Sequence, residues 1–444
     1  MTMRSRWNPS GRAVRGAHSW VLLAGLLLAG FVTDSGAAQF AGHEAARDLA
    51  QAVDDRLDLM RDVAAAKWMS GAPIQDSVRE AAVLQHVAER ARMLGLDADA
   101  TQLFFDTQIR MARDVQRQWH ARWQTAGHCA PCDEPAPLQA VRERIDATNE
   151  QQLMALYVAA PLRADEVVVF GQELRARLQT RDLTAADVDE LTRAAVAVTR
   201  VPGGAVLDRI RSTRILRIAT TGDYAPFSLE AGGSLTGADI EQASELAAHL
   251  GARPVFVRTT WPGLLDDLRA GRFDVALSGI GFTTERAALG AYSVAYHEGG
   301  KTLLARCDER DRFDKPADLD RAGNRVIVNP GGTNERYVRE HVQHAQVIVH
   351  PDNRGVFAEI AAGRADVMVT DDVEAELQAR RWPGRLCRTY PGTLTAGDKR
   401  ILMARDPALN AAVDTWLRQS IAAGAPARAL ERAMQEYVDG AAAP

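Results

Sequence analysis

Two groups of basic and polar residues, one in each half of the chain, have the types and spacing that a site for a small dicarboxylate requires. In the first half, Arg56 and Lys67 lie eleven residues apart, which is three helical turns, so both fall on one helix face. Arg79 opens the next helical segment and Arg142 begins another. A solvated basic face is the usual reason for such residues. Arg56 and Lys67 adjoin the apolar stripe, however, which favours a binding site.

The second half carries two near-identical stretches, GRFDVALSG ending at Gly279 and GRADVMVTD ending at Asp371. Parallel α/β sheets bind ligands at the C-terminal ends of their strands, so Ser278, Thr370 and Asp371 are predicted to face a cleft. Glu374 lies one helical turn after Asp371 and could point into the same cleft. Burial would raise its pKa and keep it protonated, as a general acid requires. The alternative is a first-turn glutamate that favours the helix dipole.

Other residues around this cleft could bind an anion. The candidates are Trp261, Arg286, Lys301, Asn329, Thr333 and Asn334. Arg286 can bind a carboxylate with two hydrogen bonds, and the strand-to-helix turn at 329–334 offers free backbone N–H groups. The alternatives are a simple helix cap at that turn, an exposed Lys301, and a Trp261 that belongs to the core.

The elements that must position these residues differ between the halves. Apolar residues recur at helical spacing over 43–68, and Pro73 ends that segment. Ser77 and Glu80 then have the spacing of a capping box. Further helices are predicted over 98–123, 136–160, 162–178 and 184–198. No alternating strand pattern interrupts them, so the first half is predicted to be an all-α bundle.

The second half alternates strands and helices after a boundary at 201–204. A short helix (205–212) is followed by a strand at 215–219. The first set continues with helix 238–250, strand 254–260, helix 262–270 and strand 273–279. The second set is strand 325–330, helix 333–342, strand 346–350, helix 354–362 and strand 365–370. Both are β-α-β-α-β units, which imply parallel sheets. Segments 291–306 and 387–404 join the sets, and helices 408–422 and 426–438 end the chain.

Composition and charge narrow the class of ligand. At 444 residues, the chain is long enough for two or three domains. Its formal net charge is −5, from 53 basic and 58 acidic residues, so nothing indicates binding to nucleic acid. A bound anion must therefore be held by basic residues close to it and not by the electrostatic field of the whole protein.

The N-terminus has the pattern of a secretory signal peptide over 1–38. Four arginines precede an apolar run over 20–31, and small residues follow at 35–38. The run is shorter than the ~20 apolar residues that span a bilayer, and no later stretch is apolar enough. The mature chain, from near Gln39, is therefore predicted to be periplasmic and free of the membrane after signal cleavage.

Four cysteines suit an oxidising compartment. A bridge between Cys307 and Cys387 would close a loop of 80 residues. Such a loop corresponds to about 4–5 kcal/mol of stabilisation. Cys129 and Cys132 lie in a loop rich in Gly and Pro, where a structural disulfide or two free thiols is favoured over a redox site.

The second half, over 206–440, resembles the periplasmic solute-binding proteins for polar amino acids. The motifs are TTGDYAPF (220–227), Thr-Glu-Arg (284–286) and the strand that ends in Asp371. Together with WP (261–262), NPGGTNE (329–335), HPDN (350–353) and TDDVEA (370–375), they resemble the periplasmic cyclohexadienyl dehydratases. That family converts prephenate to phenylpyruvate, or arogenate to phenylalanine, on the binding-protein fold. The resemblance implies that Glu374 is the general acid. That reaction needs sites for carboxylates and one acid near the hydroxyl, so no metal or cofactor is expected.

The first half resembles the secreted class of helical chorismate mutases over roughly 43–195. The motifs are DRL (55–57), AKW (66–68), PIQDSVRE (73–80), FFDTQ (104–108) and RERID (142–146). The resemblance implies that Arg56, Arg79 and Arg142 hold the two carboxylates of chorismate. Lys67 and Gln116 would donate hydrogen bonds to its ether oxygen, and Glu80 would accept from the ring hydroxyl. Ala112 departs from the Ser or Thr that often stands in the family.

We therefore expect an exported bifunctional enzyme of phenylalanine biosynthesis. The predicted divisions are a signal peptide (1–38), an all-helical domain (39–200), a linker (201–212) and a two-lobed α/β domain of the periplasmic-binding-protein type (213–440), with lobe 1 at 213–302 and 394–440 and lobe 2 at 303–393. Its partners would be the small molecules chorismate and prephenate, while use of arogenate and formation of a homo-oligomer stay open. The alternative is an amino-acid receptor fused to a chorismate mutase or a helical spacer.

Overall fold

The computed structural model describes residues 38–132, 136–181, 183–201 and 205–440. The predicted signal peptide apart from Ala38, the stretch at 202–204 and the tail at 441–444 lie outside the described residues. Within the described part of the chain, no helix combines the length and apolarity needed to cross a bilayer.

Helices make up the described part of the first half, as its periodicity predicts. They are α1 (Gly42–Asp58), α2 (Met60–Ser70), α3 (Ser77–Leu94), α4 (Ala98–Ala126), α5 (Leu138–Ala159), α6 (Ala164–Leu178) and α7 (Ala185–Ala197). The core lies between them, where Phe104 and Phe105 pack edge to face with ring centroids 5.6 Å apart. Burial of one such side chain contributes about 1.5–3 kcal/mol, so packing stabilises the bundle more than helix propensity does.

The single helix predicted over 43–68 is two helices, α1 and α2. Leu59 separates them, and its N–H bonds to the carbonyl of Leu57. The backbone at Leu59 stays right-handed helical, with φ −65° and ψ −14°, so the apolar stripe continues across the break and periodicity does not reveal it. Arg56 consequently lies in the last turn of α1, and Lys67 lies in the last turn of α2.

Within residues 205–440, two five-stranded sheets with their helices form what we call lobe 1 and lobe 2. Lobe 1 contains α8 (Val206–Thr213), β1 (Ile215–Thr220), β2 (Asp223–Tyr224), β3 (Ser228–Ala231), β4 (Ser234–Thr236), α9 (Ala238–His249), β5 (Arg253–Arg258), α10 (Leu264–Arg269), β6 (Val275–Ala276), α11 (Thr284–Leu289), β7 (Ala291–Tyr292) and β8 (His297–Gly299). Lobe 2 contains β9 (Lys301–Arg306), β10 (Arg325–Val328), α12 (Thr333–His341), β11 (Gln346–Val349), α13 (Val356–Ala361), β12 (Val367–Asp371), α14 (Asp372–Arg381) and β13 (Leu386–Arg388). The chain then returns to lobe 1 with β14 (Gly397–Lys399), β15 (Leu402–Met403), α15 (Pro407–Ala422) and α16 (Ala425–Gly440).

The predicted parallel pairing of the two repeated units is confirmed, but each sheet also contains antiparallel strands that the sequence analysis did not predict. Their strand orders are β5-β1-β6-β15-β7 and β11-β10-β12-β9-β13. The three strands of each repeated unit are parallel, whereas β15 runs antiparallel to both β6 and β7 in lobe 1, and β9 runs antiparallel to both β12 and β13 in lobe 2. The antiparallel strands belong to the two segments that cross between the lobes. Because β8 pairs with β14, those segments form a ribbon at the crossing.

Both pairs of cysteines are disulfide-bonded. Cys307 follows β9 and Cys387 lies in the neighbouring strand β13, with their Cα atoms 4.9 Å apart. The bond therefore fixes the edge of the lobe 2 sheet. Cys129 and Cys132 are bonded in the turn after α4 and pack against the α2 helix near Ala65.

Buried polar contacts join the helical half to lobe 1. Arg272, which precedes β6, lies 3.3 Å from the Glu166 carboxylate on α6, and both side chains are almost fully buried. Arg163 forms a 2.5 Å ion pair with Asp267 on α10. Arg272 also donates a hydrogen bond to the carbonyl of Pro161 in the helical half. The two halves therefore share a buried polar interface as well as a peptide connection.

Candidate active sites

The helical half contains a small cavity lined mainly by residues of α1 to α5, several of them charged. Its volume is about 90 Å³, and an adjoining opening of about 380 Å³ shares Lys67, Asp76, Leu138 and Arg142 with it. The lining residues are Arg56, Met60, Val63, Lys67, Ile74, Asp76, Arg79, Glu80, Val83, Ile109, Ala112, Arg113, Gln116, Leu138, Arg142 and Ile145. The tertiary structure thus brings together the six residues of the first half that the sequence analysis selected.

Arg56 is the most deeply buried cation of this cavity. Its Nε donates a 2.9 Å hydrogen bond to Oδ1 of Asn149 on α5. Its Nη1 is buried and, among the described residues, has no hydrogen-bond partner. Burial lowers the pKa of Arg56 to about 10, although the charge of Asp146 opposes that shift. The guanidinium is therefore still charged at neutral pH, and a ligand anion would satisfy its free N–H groups.

Lys67 and Gln116 reach the cavity from α2 and α4. The Lys67 ammonium donates to the carbonyl of Ile74. Burial lowers the pKa of Lys67, while the charges of Asp76 and Glu80 partly offset that effect. Gln116 Nε2 donates a 3.1 Å bond to the carbonyl of Ala112, and its buried Oε1 has no partner among the described residues. The Lys67 ammonium has further N–H donors for a ligand oxygen, and such an oxygen could replace the weak acceptor Met60 Sδ, which lies 3.6 Å from Gln116 Nε2.

Arg79 and Arg142 are more exposed, and each is paired with a carboxylate of the protein. Arg79 contacts Asp146 at 2.5 Å, and Arg142 contacts Asp76 at 2.7 Å. Pairs with this exposure contribute only about 0–1 kcal/mol, because water screens them. A ligand carboxylate that excludes water can therefore replace either aspartate at small cost.

Glu80 lies at the start of α3, but the cap of that helix differs from the predicted one. The N-cap is Asp76, whose Oδ1 accepts a 3.1 Å bond from the Arg79 N–H, so Ser77 is already the first helical residue. Both residue types are good caps, which is why the sequence did not separate them. Glu80 accepts a long 3.4 Å bond from the Asp76 N–H and lies 3.7 Å from Arg113. Its carboxylate therefore keeps capacity to accept from a ligand hydroxyl.

A second group of polar side chains lies between the lobes, around Asp371 at the end of β12. Asp371 forms ion pairs with Lys301 at 2.7 Å and with Lys399 at 2.5 Å, and Tyr224 donates its hydroxyl to the same carboxylate. Burial alone would raise the pKa of Asp371, but the charges of Lys301 and Lys399 outweigh it and lower the pKa. Asp371 is therefore firmly ionised. We call Tyr224, Lys301, Asp371 and Lys399 the Asp371 network.

Strand register explains why one lysine of this network meets the aspartate. β9 runs antiparallel to β12, and Lys301 is the direct partner of Asp371. Residues opposite each other in such a pair interact side by side. Lys301 also donates a 2.5 Å bond to Asn334 Oδ1 on α12. Lys399 comes from β14, and Tyr224 comes from β2, so three separate segments of the chain converge on Asp371.

Glu374 lies in the first turn of α14, directly beside the Asp371 network. Its side chain is 2% exposed, and Thr370 donates its hydroxyl to the Glu374 carboxyl. Burial raises the pKa of Glu374 to about 8; the negative charge of Asp371 adds to the shift, while the Thr370 hydrogen bond opposes it. Glu374 is consequently a buried, protonated acid at neutral pH, with two ammonium groups near it. Such a shift at a cleft residue is typical of a catalytic acid.

The remaining cleft candidates differ in how closely they adjoin this network. Asn334 Nδ2 lies 3.5 Å from both Asn329 Oδ1 and Thr370 Oγ1. Trp261 packs edge-on against Tyr224, with ring centroids 5.6 Å apart, and donates a 3.1 Å bond to Asp223. These contacts make one continuous polar and aromatic wall.

Three candidates lie outside that wall. Ser278 is buried in a hydroxyl cluster, 2.8 Å from Thr221 Oγ1 and 2.7 Å from Ser228 Oγ. Arg286 is buried and donates a 3.0 Å bond to the carbonyl of Gly281. Thr333 is half-buried and is the first residue of α12. Among the described residues, their contacts do not link them to Glu374.

The sequence analysis did not select Lys399, although one signal was present. Of the 53 basic residues, only four are lysines: Lys67, Lys301, Lys315 and Lys399. Lys67, Lys301 and Lys399 are each 7% exposed, whereas lysine is almost never fully buried in proteins. The scarcity of lysine in an arginine-rich chain could therefore have identified this residue. No comparable feature of the sequence pointed to the residues that hold the arginines of the first cavity, which are Asp76, Asp146 and Asn149.

Comparisons with known proteins match the two halves separately. Residues 216–436 match the bacterial extracellular solute-binding proteins, family 3, and residues 44–117 match chorismate mutase type II. A cyclohexadienyl dehydratase of Pseudomonas aeruginosa is 44% identical over 213 residues, which cover 48% of this chain and 79% of that protein. The L-cystine-binding protein TcyJ of Escherichia coli is 29% identical over 171 residues, 38% of this chain and 64% of that protein. A crystal structure of the ancestral amino acid-binding protein AncCDT-1, a precursor of cyclohexadienyl dehydratase, is 32% identical with a TM-score of 0.48, covering 52% of this chain and all of that one.

Proposed function

This chain belongs, over residues 216–436, to the family 3 bacterial extracellular solute-binding proteins, and we propose that it is a bifunctional enzyme of phenylalanine biosynthesis. The chorismate mutase domain in the helical half converts chorismate to prephenate. The second half converts prephenate to phenylpyruvate, the activity to which its 44% identity with a cyclohexadienyl dehydratase points. The observation that carries the second step is Glu374, a buried carboxyl whose pKa of about 8 keeps it protonated at neutral pH.

The first reaction is a pericyclic rearrangement, in which one C–O bond breaks while one C–C bond forms. It needs no nucleophile and no proton transfer, so the site must hold the compact conformer and stabilise charge on the ether oxygen. Arg56, Arg79 and Arg142 surround the cavity as ligands for two carboxylates. Lys67 and Gln116 supply N–H donors to the ether oxygen, and Glu80 accepts from the ring hydroxyl.

The second reaction requires one acid. Glu374 donates its proton to the ring hydroxyl, which leaves as water. The ring carboxylate leaves as CO₂, and the electron pair of the broken C–C bond completes the aromatic ring. A positioned general acid contributes about 10²–10⁴-fold in rate. No oxidant, reductant or metal is needed for this balance.

Cationic and N–H groups around Glu374 are the proposed ligands of the prephenate carboxylates. Lys301 and Asn334 lie in hydrogen-bond contact with each other at 2.5 Å. Asn329 and Thr370 complete that side of the site, and Trp261 forms an aromatic wall near Tyr224. Among the described residues, Arg286 forms no ion pair with a carboxylate, so it is our proposed ligand of a substrate carboxylate. Thr333, at the start of α12, and Ser278, after β6, are proposed to bind the substrate beside it.

Location and domain division follow from the same proposal. The family of the second half is described as extracellular, which supports an exported protein, with 1–38 as signal peptide and the periplasm as its compartment. We divide the mature chain into a helical domain at 39–200, a linker at 201–212 and the two-lobed domain at 213–440. Joining both catalytic sites in one chain raises the local concentration of prephenate at the second site.

A chorismate time course with the purified mature chain tests both activities. The wild type should produce phenylpyruvate with prephenate as a transient. Glu374→Gln keeps the shape of the side chain and removes the acidic proton, so prephenate should accumulate instead. Glu376→Gln, on the same helix with a half-exposed carboxylate, is the matched control and should behave as wild type.

The division of labour is tested with Lys67→Ala. That variant should not consume chorismate but should still convert added prephenate to phenylpyruvate. Unchanged phenylpyruvate formation by Glu374→Gln would refute the acid assignment. Absence of turnover of either substrate by the wild type, with tight binding of a free amino acid, would favour a receptor of the kind that the cystine-binding relative represents.

A further inference from the structure

We propose that the last helix, α16, positions the acid of the second site, because it bridges the two lobes and holds α14, the helix that carries Glu374, against lobe 1. This inference rests on the proposed dehydratase function. α16 (Ala425–Gly440) follows the return of the chain to lobe 1, whereas α14 (Asp372–Arg381) begins directly after β12 of lobe 2. A contact between these two helices therefore joins the lobes at a place separate from the crossing segments and from the Asp371 network.

One side of α16 is fixed to lobe 1. Ala429 and Ala433 lie one helical turn apart and pack against Ala238, the first residue of α9, and all three are buried. Side chains as small as alanine let two helices approach closely. Arg432 adds an ion pair with Glu241 on α9. α16 is therefore anchored to lobe 1 by contacts in which lobe 2 takes no part.

The neighbouring side of α16 packs against lobe 2. An apolar cluster unites three segments of the chain, with Ala225 and Leu229 from lobe 1, Val373 and Leu377 from α14, and Leu430, Met434, Tyr437 and Val438 from α16. The four α16 positions share one helix face, because neighbours three or four residues apart lie side by side. Leu377 is fully buried and Met434 is 6% exposed, so the cluster excludes water. Val373 and Leu377 flank Glu374 in the sequence, so the contact acts on the turn of α14 that carries the acid.

Polar contacts of Tyr437 strengthen the same junction. Arg381, the last residue of α14, donates a 2.6 Å hydrogen bond from Nη1 to the Tyr437 hydroxyl. Its guanidinium carbon also lies 4.8 Å from the centroid of the Tyr437 ring, which is a cation–π contact. Burial raises the pKa of Tyr437; the charge of Arg381 opposes that shift, and an ionised Glu374 adds to it. One side chain of α16 thus binds the end of α14 and lies close to the acid.

The burial of Glu374 depends on the position of α14. Burial is the largest cause of its raised pKa, so a movement of α14 that admits water would lower that pKa. The titratable groups of other elements near Glu374 include Asp371 of β12, Lys301 of β9, Lys399 of β14, Tyr224 of β2 and Tyr437 of α16. The first four form the Asp371 network, and the fifth belongs to α16. A change at Tyr437 therefore weakens the hold on α14 and leaves the charges of that network in place, which makes Tyr437 a positioning residue.

The test measures kcat for prephenate against pH in the full-length mature chain. Tyr437→Ala removes the contacts with α14 and leaves those of α16 with α9. Its kcat at neutral pH should fall about tenfold, and the decline of kcat should begin about one pH unit lower than in the wild type, because a less buried Glu374 loses its proton more readily. Tyr437→Phe keeps the ring in the apolar cluster and should lie between the two. Glu436→Ala, exposed on the same helix, is the matched control and should behave as wild type.

A second variant changes the same junction from the side of α14. Arg381→Met removes the hydrogen-bond partner of Tyr437 and should shift the pH profile in the same direction. The double variant should be no worse than Tyr437→Ala alone, because the effects of residues that act through one contact are not additive. Hydrogen exchange of the α14 amides reports the hold on that helix without any turnover, and it should be about tenfold faster in Tyr437→Ala. Unaltered consumption of chorismate by each variant shows that the helical half is folded.

The outcomes separate this inference from the proposed function. If the wild type does not dehydrate prephenate, the proposed function fails, and the exchange measurement still decides whether α16 holds α14. If the wild type is active and Tyr437→Ala keeps its pH profile, the dehydratase function stands and the positioning role of α16 is overturned. A variant that unfolds at a lower temperature with an unchanged profile leads to the same conclusion, since α16 would then only stabilise the fold. Unchanged exchange of the α14 amides in Tyr437→Ala also overturns the inference.

Discussion

At the scale of single residues, burial and neighbouring charge give chemically similar groups different roles. Asp371 and Glu374 are three residues apart, yet two lysines keep the pKa of Asp371 low while burial raises the pKa of Glu374 to about 8. One carboxyl is therefore ionised and the other protonated at neutral pH. Lys67 in the first cavity shows the opposite effect of burial, since it lowers the pKa of an ammonium group.

The dehydratase rate should depend on the protonation of Glu374. Because the acid must be protonated to act, kcat should be flat near neutral pH and fall about tenfold per pH unit above a pH of about 8. For an ordinary glutamate, the fall would begin near pH ~4.3. The measurement is the initial rate from prephenate between pH 6 and about 10, corrected for spontaneous decomposition. A profile already falling by pH ~6 would contradict the raised pKa.

Gln116 should be essential to the mutase as a hydrogen-bond donor. In Gln116→Glu, a carboxylate would face the ether oxygen at neutral pH and repel it, so mutase kcat/KM should fall about 10²-fold or more. Activity should return as the pH is lowered and the new carboxyl becomes protonated. Gln124→Glu, exposed on the same helix, is the control. An equal loss at every pH would indicate a packing defect instead.

At the scale of secondary-structure elements, the ends of strands and helices position both sites. β12 ends at Asp371, and α14 begins at the next residue, so one strand-to-helix turn supplies the fixed anion and, one turn later, the acid. In the helical half, Asp76 both caps α3 and holds Arg142 at 2.7 Å. The antiparallel strand β9 carries Lys301 to Asp371, which a wholly parallel sheet would not do.

The Cys307–Cys387 bond should stabilise lobe 2, where it joins β13 to the end of β9. It closes a loop of 80 residues. By chain entropy, that loop corresponds to about 4–5 kcal/mol in the free energy of unfolding. The double variant with both residues changed to Ser should therefore lose dehydratase activity at a lower temperature than the wild type. Replacing Cys129 and Cys132 removes a far shorter loop and should cost less than about 2 kcal/mol by the same relation. Equal losses for the two pairs would exclude the loop-entropy explanation.

At the scale of the whole molecule, the helical half is fixed to one lobe of the binding-protein fold. The ion pairs that cross between the halves, within the described residues, reach Asp267 and Arg272 of lobe 1. Lobe 2 contacts lobe 1 through the Asp371 network and through Asn353, whose Nδ2 donates a 3.0 Å bond to the carbonyl of Asp223. Because this buried interface lies on lobe 1, the cleft between the lobes can close by bending of the crossing segments at β8 and β14 without disturbing the interface.

The Glu166–Arg272 pair should couple the stability of the two halves. Glu166→Gln leaves the buried Arg272 guanidinium without its nearest full charge, which should cost about 3 kcal/mol in the free energy of unfolding. The wild type should unfold in one calorimetric transition, and the variant should unfold at a lower temperature. Glu173→Gln, on the same helix with its carboxylate 30% exposed, should change stability by less than about 1 kcal/mol. An unchanged transition in Glu166→Gln would show that the interface is not a stabilising contact.

Local sequence patterns determined the elements and the first list of site residues. Helical spacing located α4 to α7 within a few residues, because neighbours three and four apart interact on one helix face whatever the rest of the chain does. Strand patterns and turn residues likewise located β1, β10 and β12. The basic residues Arg56 and Lys67 stood out because they adjoin an apolar stripe. The break at Leu59 and the antiparallel strands escaped this reasoning, since neither disturbs a local pattern.

Only the tertiary structure decided how those residues act together. Asp371 meets Lys301, Lys399 and Tyr224, which are separated from it by 70, 28 and 147 positions in the chain, so no local pattern could pair them. The raised pKa of Glu374 likewise depends on burial between elements that are distant in sequence. Residue types and spacing therefore determined which groups were available, in both halves. Packing decided which carboxyl is charged and which is an acid, because charge in a protein is set by the surroundings of a group and not by its identity alone.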